Sequence, residues 1–412
     1  MDNTSSTLVI TGGGLVGMAA ALLFHDRFDR VRVCEKRSSP LEDENYSNRS
    51  LQLVISARGW RTLGLLGLTE KVKAQTLELR GRYKHEMDGS AHPEPYSRDG
   101  QVICCVSRGT LYKLLTSEVL RLENTEVQFN TEVTGVDTEN CLFFTAGNVT
   151  PDVGSYDLMI GSDGVYSTVS RQLNGENGII RVLETNSYRE IRITDAPWAA
   201  DGFHYWFSDH MMIGAFPVFE GGFSLFTVLE RADIDMILGD PESQYLETHF
   251  PGITSVVPDA RKRFHEAADG VLGSVTCNQW HAGNHTVILG DAAHGILPFM
   301  GQGLNTGLED LYVLNDFIAE NGLKSGKSLA EFASIRRPQS DAIRDISMEQ
   351  FRYLTGKMTQ SERSVRKDVE KHLEEHGLPG VYASCAFTNE PFADIQERIR
   401  LLNDKYGQAK QG

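Results

Sequence analysis

The chain has 412 residues, 40% of them hydrophobic, and carries 40 basic against 56 acidic side chains for a formal net charge of −16. That length accommodates two or three domains with well-buried cores. The acidic surplus argues against nucleic acid or an anionic membrane surface as a partner, because either would repel it.

The six cysteines (Cys34, Cys104, Cys105, Cys141, Cys277 and Cys385) lack CxxC spacing, as expected of reduced thiols in a cytoplasmic protein. Residues 7–24 are apolar, but they lack a basic leader and are interrupted by Gly12, Gly13, Gly14 and Gly17. They therefore read as strand, loop and helix, not as a signal peptide or membrane span. No other stretch is apolar enough to span a bilayer, so no membrane anchor is expected.

Residues 7–10 form a short β-rich run, followed by Gly12-Gly13-Gly14-Leu15-Val16-Gly17 and the helix-forming Met18-Ala19-Ala20-Ala21-Leu22-Leu23. This is GxGxxG between a strand and a helix, where glycines let the backbone and the helix N-terminus approach a pyrophosphate. Residues 31–34 read as a second strand, and Glu35 follows Gly17 by 18 positions. A dinucleotide fold places its ribose-binding carboxylate at a spacing of about 20.

In place of further βα units, a polar loop at 38–48 leads to Arg49, a β-rich run at 51–55 and a helical stretch to Leu68. Arg49 reads either as a ligand of a pyrophosphate or nicotinamide cofactor, or as a solvated loop residue. Residues 77–97 are a polar strand-like insertion closed by a turn at Asp88-Gly89. A strand at 102–108 and a helix at 110–122 follow, with Arg108 at their corner, within reach of a phosphate. Residues 127–136 and 140–145 look like a β-meander, and 156–164 like a strand ending in Gly161-Ser162-Asp163-Gly164. The runs at 188–194, 203–207, 211–219 and 223–229 read as antiparallel hairpins suited to roofing a substrate.

A buried strand at 286–289 then meets Gly290-Asp291, a Pro- and Gly-rich bend, and a helix that begins near Gly303 and continues through Leu308, Leu311 and Leu314. An acid just past a strand end can hold a sugar hydroxyl, and free N–H groups at a helix start can hold negative charge. His294 reads as a structural residue beside Asp291. Beyond Leu329 the chain is helical and charged.

GxGxxG with Glu35, the Gly-Ser-Asp-Gly turn, and Gly290-Asp291 with Pro298 and Gly301-Gln302-Gly303 occur in this order with long insertions between them. Together they resemble the single-component FAD-dependent aromatic hydroxylases. The resemblance implies an α/β fold with a Rossmann-like FAD-binding domain, an inserted antiparallel-sheet substrate domain and a helical C-terminal region. The expected pieces are 1–76, 98–178 and 280–330 for the discontinuous FAD-binding domain, 77–97 and 179–279 for the substrate domain, and 331–412 for the helical region.

The resemblance also implies FAD as cofactor, NADPH or NADH as reductant, and O2 and a small aromatic compound as substrates. It assigns to the cofactors Gly12, Gly14, Leu15, Val16, Gly17, Glu35, Lys36, Arg37, Arg49, Val54, Arg108, Val133, Asp163, Gly164, Asp291, Gly303, Leu304 and Asn305. Glu35 would hold the adenosine ribose, Asp291 the ribityl chain, and the N–H groups of Leu304 and Asn305 the negative edge of the flavin. Pro298, Phe299 and Gly303 would shape the reacting end. Ser170, followed by Arg171, stands where this family usually has an arginine.

At finer grain, residues 13–17, Arg49-Ser50, Ser107-Arg108, residues 163–169, residues 289–310 and Asp345-Ile346-Ser347-Met348 resemble the kynurenine 3-monooxygenases. That resemblance implies 3-hydroxylation of L-kynurenine or a close aminoaryl acid through a C4a-hydroperoxyflavin. A strand arginine and a tyrosine that grip the substrate carboxylate match Arg82 and Tyr96. A helical asparagine and tyrosine align with Thr359 and Phe392. Phe392 donates no hydrogen bond, so the clamp is expected to be weaker or the substrate altered; one lost hydrogen bond to a charged group costs about 1.5–3 kcal/mol. Residues 387–392 also resemble the violacein-type indole hydroxylases, whose substrates are tryptophan-derived indolic intermediates. No Ser/His/Asp set or metal-ligand set stands out, in keeping with an aminoaryl ring that needs no base to activate it.

Overall fold

The computed structural model describes residues 5–42, 52–86, 89–97, 99–147, 152–208, 211–254, 256–257, 259–322 and 328–408. Its centre is the strand Thr7–Thr11, whose Leu8, Val9 and Ile10 are fully buried. An unbroken apolar run of this kind suits a strand covered on both faces. It lies parallel to Arg30–Cys34 on one side and to Leu158–Gly161 on the other. Thr125–Gln128 and Thr286–Ile288 extend the parallel sheet outward, and the short antiparallel strand His281–Ala282 completes its six members. The helices Leu15–Phe24 and Gly303–Asn321 pack together against this sheet.

The expected meander at 127–136 divides in two. Thr125–Gln128 joins the parallel sheet, and Thr131–Asp137 begins a separate three-stranded sheet with Leu142–Gly147 and Val153–Ser155. Asn130, at φ +54°, makes the reversal between them, in a conformation that asparagine tolerates better than most residues.

A seven-stranded sheet forms the second layer, in the order Asp269–Cys277, Ile179–Ile193, Phe223–Glu230, Met211–Pro217, Gly202–Ser208, Gly81–His85, Ala91–Pro95. Its hairpins are antiparallel, but Gly81–His85 runs parallel to Gly202–Ser208. That strand arrives from a separate excursion of the chain, so no tight turn imposes antiparallel pairing. Leu77–Leu79, just before it, pairs instead with Ile103–Ser107 in a small sheet with Gln52–Ile55. The chain crosses into the large sheet at Arg80.

The C-terminal region consists of the helices Ser328–Leu354, Gln360–Glu375, Val381–Phe387 and Phe392–Gln408. Ile343, Ile346, Cys385, Phe392 and Ile395 bury their side chains around Met300, so this region closes over the bend at 298–303. Among the described residues no helix is long and apolar enough to cross a membrane.

Beneath the Gly290 turn lies a buried charge cluster. Arg336 donates from Nε to Asp310 Oδ1 and from Nη1 to Glu309 Oε2, both at 2.9 Å, while Asp310 Oδ2 meets His294 Nε2 at 2.5 Å and accepts the Gly290 N–H at 3.0 Å. Burial pushes the Asp310 carboxyl up, but the His294 and Arg336 charges bring it below its ordinary value. His294 thus has a structural partner, Asp310, in place of Asp291. Arg58 lies 3.2 Å from Glu309, sits 3.7 Å over the Phe392 ring, and donates to the carbonyls of Cys385 (2.9 Å), Thr388 (2.8 Å) and Glu390.

Candidate active site

One cavity of about 1590 Å³ runs from the Gly12 turn, between the two large sheets, to the C-terminal helices. At its first end Gly12 has φ +84°. A Cβ there would lie 2.5 Å from Asp163 Cα and 2.6 Å from the Ser162 carbonyl. A Cβ on Gly17 would strike the Gly12 carbonyl at 2.0 Å, so Gly17 packs the helix onto the turn and does not line the cavity. Gly14, in contrast, faces open space. It caps Leu15–Phe24 without a side-chain hydrogen bond, and no acid stands in the first turn. The first N–H groups of an α-helix have no intrahelical partner, so they point into the cavity as an anion-attracting end.

Glu35, Lys36, Arg37, Val133, Arg108, Asp163 and Gly164 share this end of the cavity with Gly12, Gly14, Leu15 and Val16. Glu35 is held at the end of its strand by one carboxylate contact, from the Arg37 N–H at 2.9 Å. Among the described residues its other oxygen has no hydrogen-bond donor, and Glu35 lines the cavity, where a ligand hydroxyl could reach it. Burial pushes the Asp163 carboxyl up, and it accepts from Ser167 Oγ and from the Thr168 N–H at 2.7 Å. Asp163 therefore shapes the turn around Gly164. Arg171 lines the cavity mouth, whereas Ser170 donates to the Ala292 carbonyl. Arg49 lies outside the described residues.

Midway, Val54, Asp291, Pro298, Phe299, Gly303 and Leu304 line the cavity. The helix Gly303–Asn321 starts here with no side-chain cap and no acid in its first turn, a second uncapped positive end. Asn305 has its side chain turned away: it accepts the Ser56 N–H at 2.9 Å and donates to the carbonyls of Val54 at 2.9 Å and Gly301 at 2.7 Å. Asn305 is fully buried and does not line the cavity, so of the two residues expected at the helix start only Leu304 faces it. Two uncapped helix ends, with carboxylates Glu35 and Asp291 beside them, fit a long ligand that carries negative charge at two places and hydroxyls between. FAD has that form.

Gly12→Ala tests the first end. Backbone strain alone costs about 1–3 kcal/mol, and the contact with Asp163 adds to it. The expected result is at least about a tenfold fall in FAD affinity, measured by flavin titration of the apoprotein.

At the far end the Arg82 guanidinium lies beside two rings, 5.6 Å from Tyr96 and 5.2 Å from Tyr382, which stack on each other at 5.4 Å. Burial pushes the Tyr96 phenol well above its ordinary value and that of Tyr382 up to about 12, so both remain neutral donors. Tyr205 donates to Glu94 Oε2 at 2.6 Å, and that carboxylate lies 4.0 Å from Arg82 Nε. Phe203, Phe216, Phe226, Met212 and Phe299 form an apolar wall between this polar end and Pro298.

Thr359 and Phe392, expected at the substrate, are elsewhere. Thr359 is an exposed N-cap in a capping box with Glu362. Phe392 is fully buried under Arg58, where an apolar ring serves the packing of the last helix. Tyr382, which the sequence reading did not single out, lines the cavity beside Arg82. It escaped sequence reading because a lone tyrosine in a seven-residue helix has no periodic signal; the Pro379-Gly380 break before it was the available clue.

The sequence pattern of the FAD binding domain family matches residues 5–347. The chain is 29% identical over 418 aligned residues to the kynurenine 3-monooxygenase of Cytophaga hutchinsonii, covering 97% of this chain and 92% of that one. It is 28% identical to the enzyme of the same name from Stenotrophomonas maltophilia, covering 98% and 92%. Among solved structures, 2-methyl-3-hydroxypyridine-5-carboxylic acid oxygenase has the same fold with a TM-score of 0.69 and 19% identity, covering 90% of this chain and 98% of that one. Pseudomonas aeruginosa PqsL in complex with 2-aminobenzoylacetate superposes with a TM-score of 0.67 and 20% identity, covering 84% and 95%.

Proposed function

We propose, from the premise that this chain belongs to the FAD binding domain family and is a flavin-dependent monooxygenase, that it hydroxylates the ring of L-kynurenine or a close aminoaryl keto acid. The observation that carries this reading is the Arg82, Tyr96 and Tyr382 group at one end of an apolar-walled cavity whose other end fits FAD. A guanidinium flanked by two neutral phenols is a donor set for a carboxylate. The curated relatives named for this reaction, and the aminoaryl keto acid in the PqsL complex, agree with it.

When bound, FAD reduced by NAD(P)H supplies an electrophilic oxygen derived from O2. Arg82, Tyr96 and Tyr382 anchor the carboxylate, and the wall of Phe203, Phe216 and Phe226 directs the aryl ring toward Pro298 and Phe299. The uncapped N-terminus of Gly303–Asn321 would stabilise negative charge on the bound flavin. Phe299, packed on Phe351 at 5.0 Å, and buried Met300 keep water from the reacting end. The amino group activates the ring without losing a proton, so an apolar wall without a base suits the reaction.

L-Kynurenine is expected to accelerate NADPH oxidation and to yield a product heavier by one oxygen atom, identified as 3-hydroxykynurenine by mass and retention. Acceleration by indolic acids alone would move the assignment to a tryptophan-derived indolic substrate.

A further inference from the structure

The carboxylate anchor leaves a second charged group at its end of the cavity unused. Glu370, on Gln360–Glu375, lines the same space. Its Oε1 accepts one long hydrogen bond, 3.4 Å from the Val381 N–H, and its Oε2 lies where a Cβ on Gly380 would fall, at 2.6 Å. Among the described residues no Lys, Arg or His nitrogen lies within 4.0 Å of this carboxylate. Arg366, one turn earlier, is committed elsewhere: it donates to Gln350 Oε1 at 2.5 Å, pairs with Glu349 at 3.5 Å and stacks 4.6 Å over Tyr353. Burial pushes the Glu370 carboxyl up, and the charges of Arg366 and Arg82 only partly offset that. A carboxylate withdrawn from water with so few partners is costly until a cation joins it.

Arg82 is in the complementary position. Among the described residues its Nε has no hydrogen-bond partner, and its nearest carboxylate, Glu94, is 4.0 Å away and already accepts from Tyr205. The polar end of the cavity thus offers one under-used cation and one under-used anion at the head of a single apolar wall.

We propose that Glu370 accepts the α-ammonium of a zwitterionic amino-acid substrate whose carboxylate is held by Arg82. The inference rests on the reading of Arg82 as the carboxylate anchor. It narrows the substrate class from aryl keto acids in general to those with a free α-amino group. The competing role is structural: Glu370 holds the start of Val381–Phe387 and so places Tyr382. Glu370→Gln separates the two, because the amide oxygen still accepts from Val381 N–H while the charge is gone.

The test is calorimetric titration of the FAD-loaded protein with L-kynurenine and with its desamino analogue, identical except for hydrogen in place of the α-ammonium. The wild-type chain is expected to bind L-kynurenine at least about tenfold more tightly, and Glu370→Gln to remove that margin while changing affinity for the desamino acid less than about twofold. Equal weakening toward both ligands would assign Glu370 to the structural role and overturn the proposal. Equal wild-type affinity for the two, no measurable binding of either, or an unaltered margin in the variant would also overturn it. Product analysis on the same samples keeps the two readings apart. A lost margin without any hydroxylated product refutes the hydroxylation and leaves the ammonium site standing; hydroxylation of both acids at equal affinity does the reverse.

Discussion

Arg82→Met is expected to raise the KM for a carboxylated aryl substrate by about two orders of magnitude, with FAD content unchanged. Two charge-assisted hydrogen bonds to a carboxylate are worth about 3 kcal/mol together, and each 1.4 kcal/mol is about tenfold in affinity. The methionine keeps an unbranched apolar side chain beside the stacked Tyr96 and Tyr382 rings, so the loss is read as charge and not as a collapsed wall. Arg82 is remote from the Gly12 turn, which is why the flavin should stay. Steady-state kinetics together with flavin absorbance per mole of protein checks both halves. An unchanged KM would remove Arg82 from the site, and with it the argument that this end of the cavity binds a carboxylate.

The largest stability effect is expected at Arg336. Its side chain is 3% exposed and bridges Asp310 and Glu309, and removing one partner of a buried ion pair leaves the other charges uncompensated. Arg336→Met should therefore cost about 3–5 kcal/mol, measured by chemical denaturation. The pH dependence has a defined sign. Asp310 is held below its ordinary value in the folded chain, so the stability it contributes is present above the ordinary carboxylate range and is lost as pH falls through the lowered value. Without Arg336 one lowering charge is gone, and the acid loss moves to higher pH. An unfolding profile as stable as the wild type at neutral pH would show that the cluster contributes nothing net to the fold.

What was legible in the sequence was whatever local geometry demands. Gly12 and Gly17 stood out by their GxGxxG spacing between a strand and a helix, although the backbone that excludes a Cβ at Gly12 belongs to the distant Ser162 and Asp163. Glu35 and Asp291 end apolar strands, and strand ends are readable from composition. Side chains brought together from distant segments left no such trace. Arg82, Tyr205 and Tyr382 meet only because a parallel strand pair and a short C-terminal helix place them so. Thr359 and Phe392 misled for the same reason: alignment by position along a charged helical region cannot tell a capping threonine or a buried ring from a ligand-facing residue. The Asp163 turn was readable as a turn, but its bonding to Ser167 and Thr168 was not.

The pairing order has a consequence for how the chain is made. One neighbour of Thr7–Thr11, Leu158–Gly161, is synthesised some 150 positions after it, and Thr286–Ile288 beyond it later still. Parallel pairings of such separation form slowly, and the unpaired apolar edge is exposed to aggregation meanwhile. A further fastening follows when the carbonyls of Cys385, Thr388 and Glu390 reach the Arg58 guanidinium. A nascent chain therefore lacks these three acceptors for Arg58 until residues 385–390 have been added. Truncation after residue 384 would strip Arg58 of all three acceptors while leaving every glycine-rich motif intact.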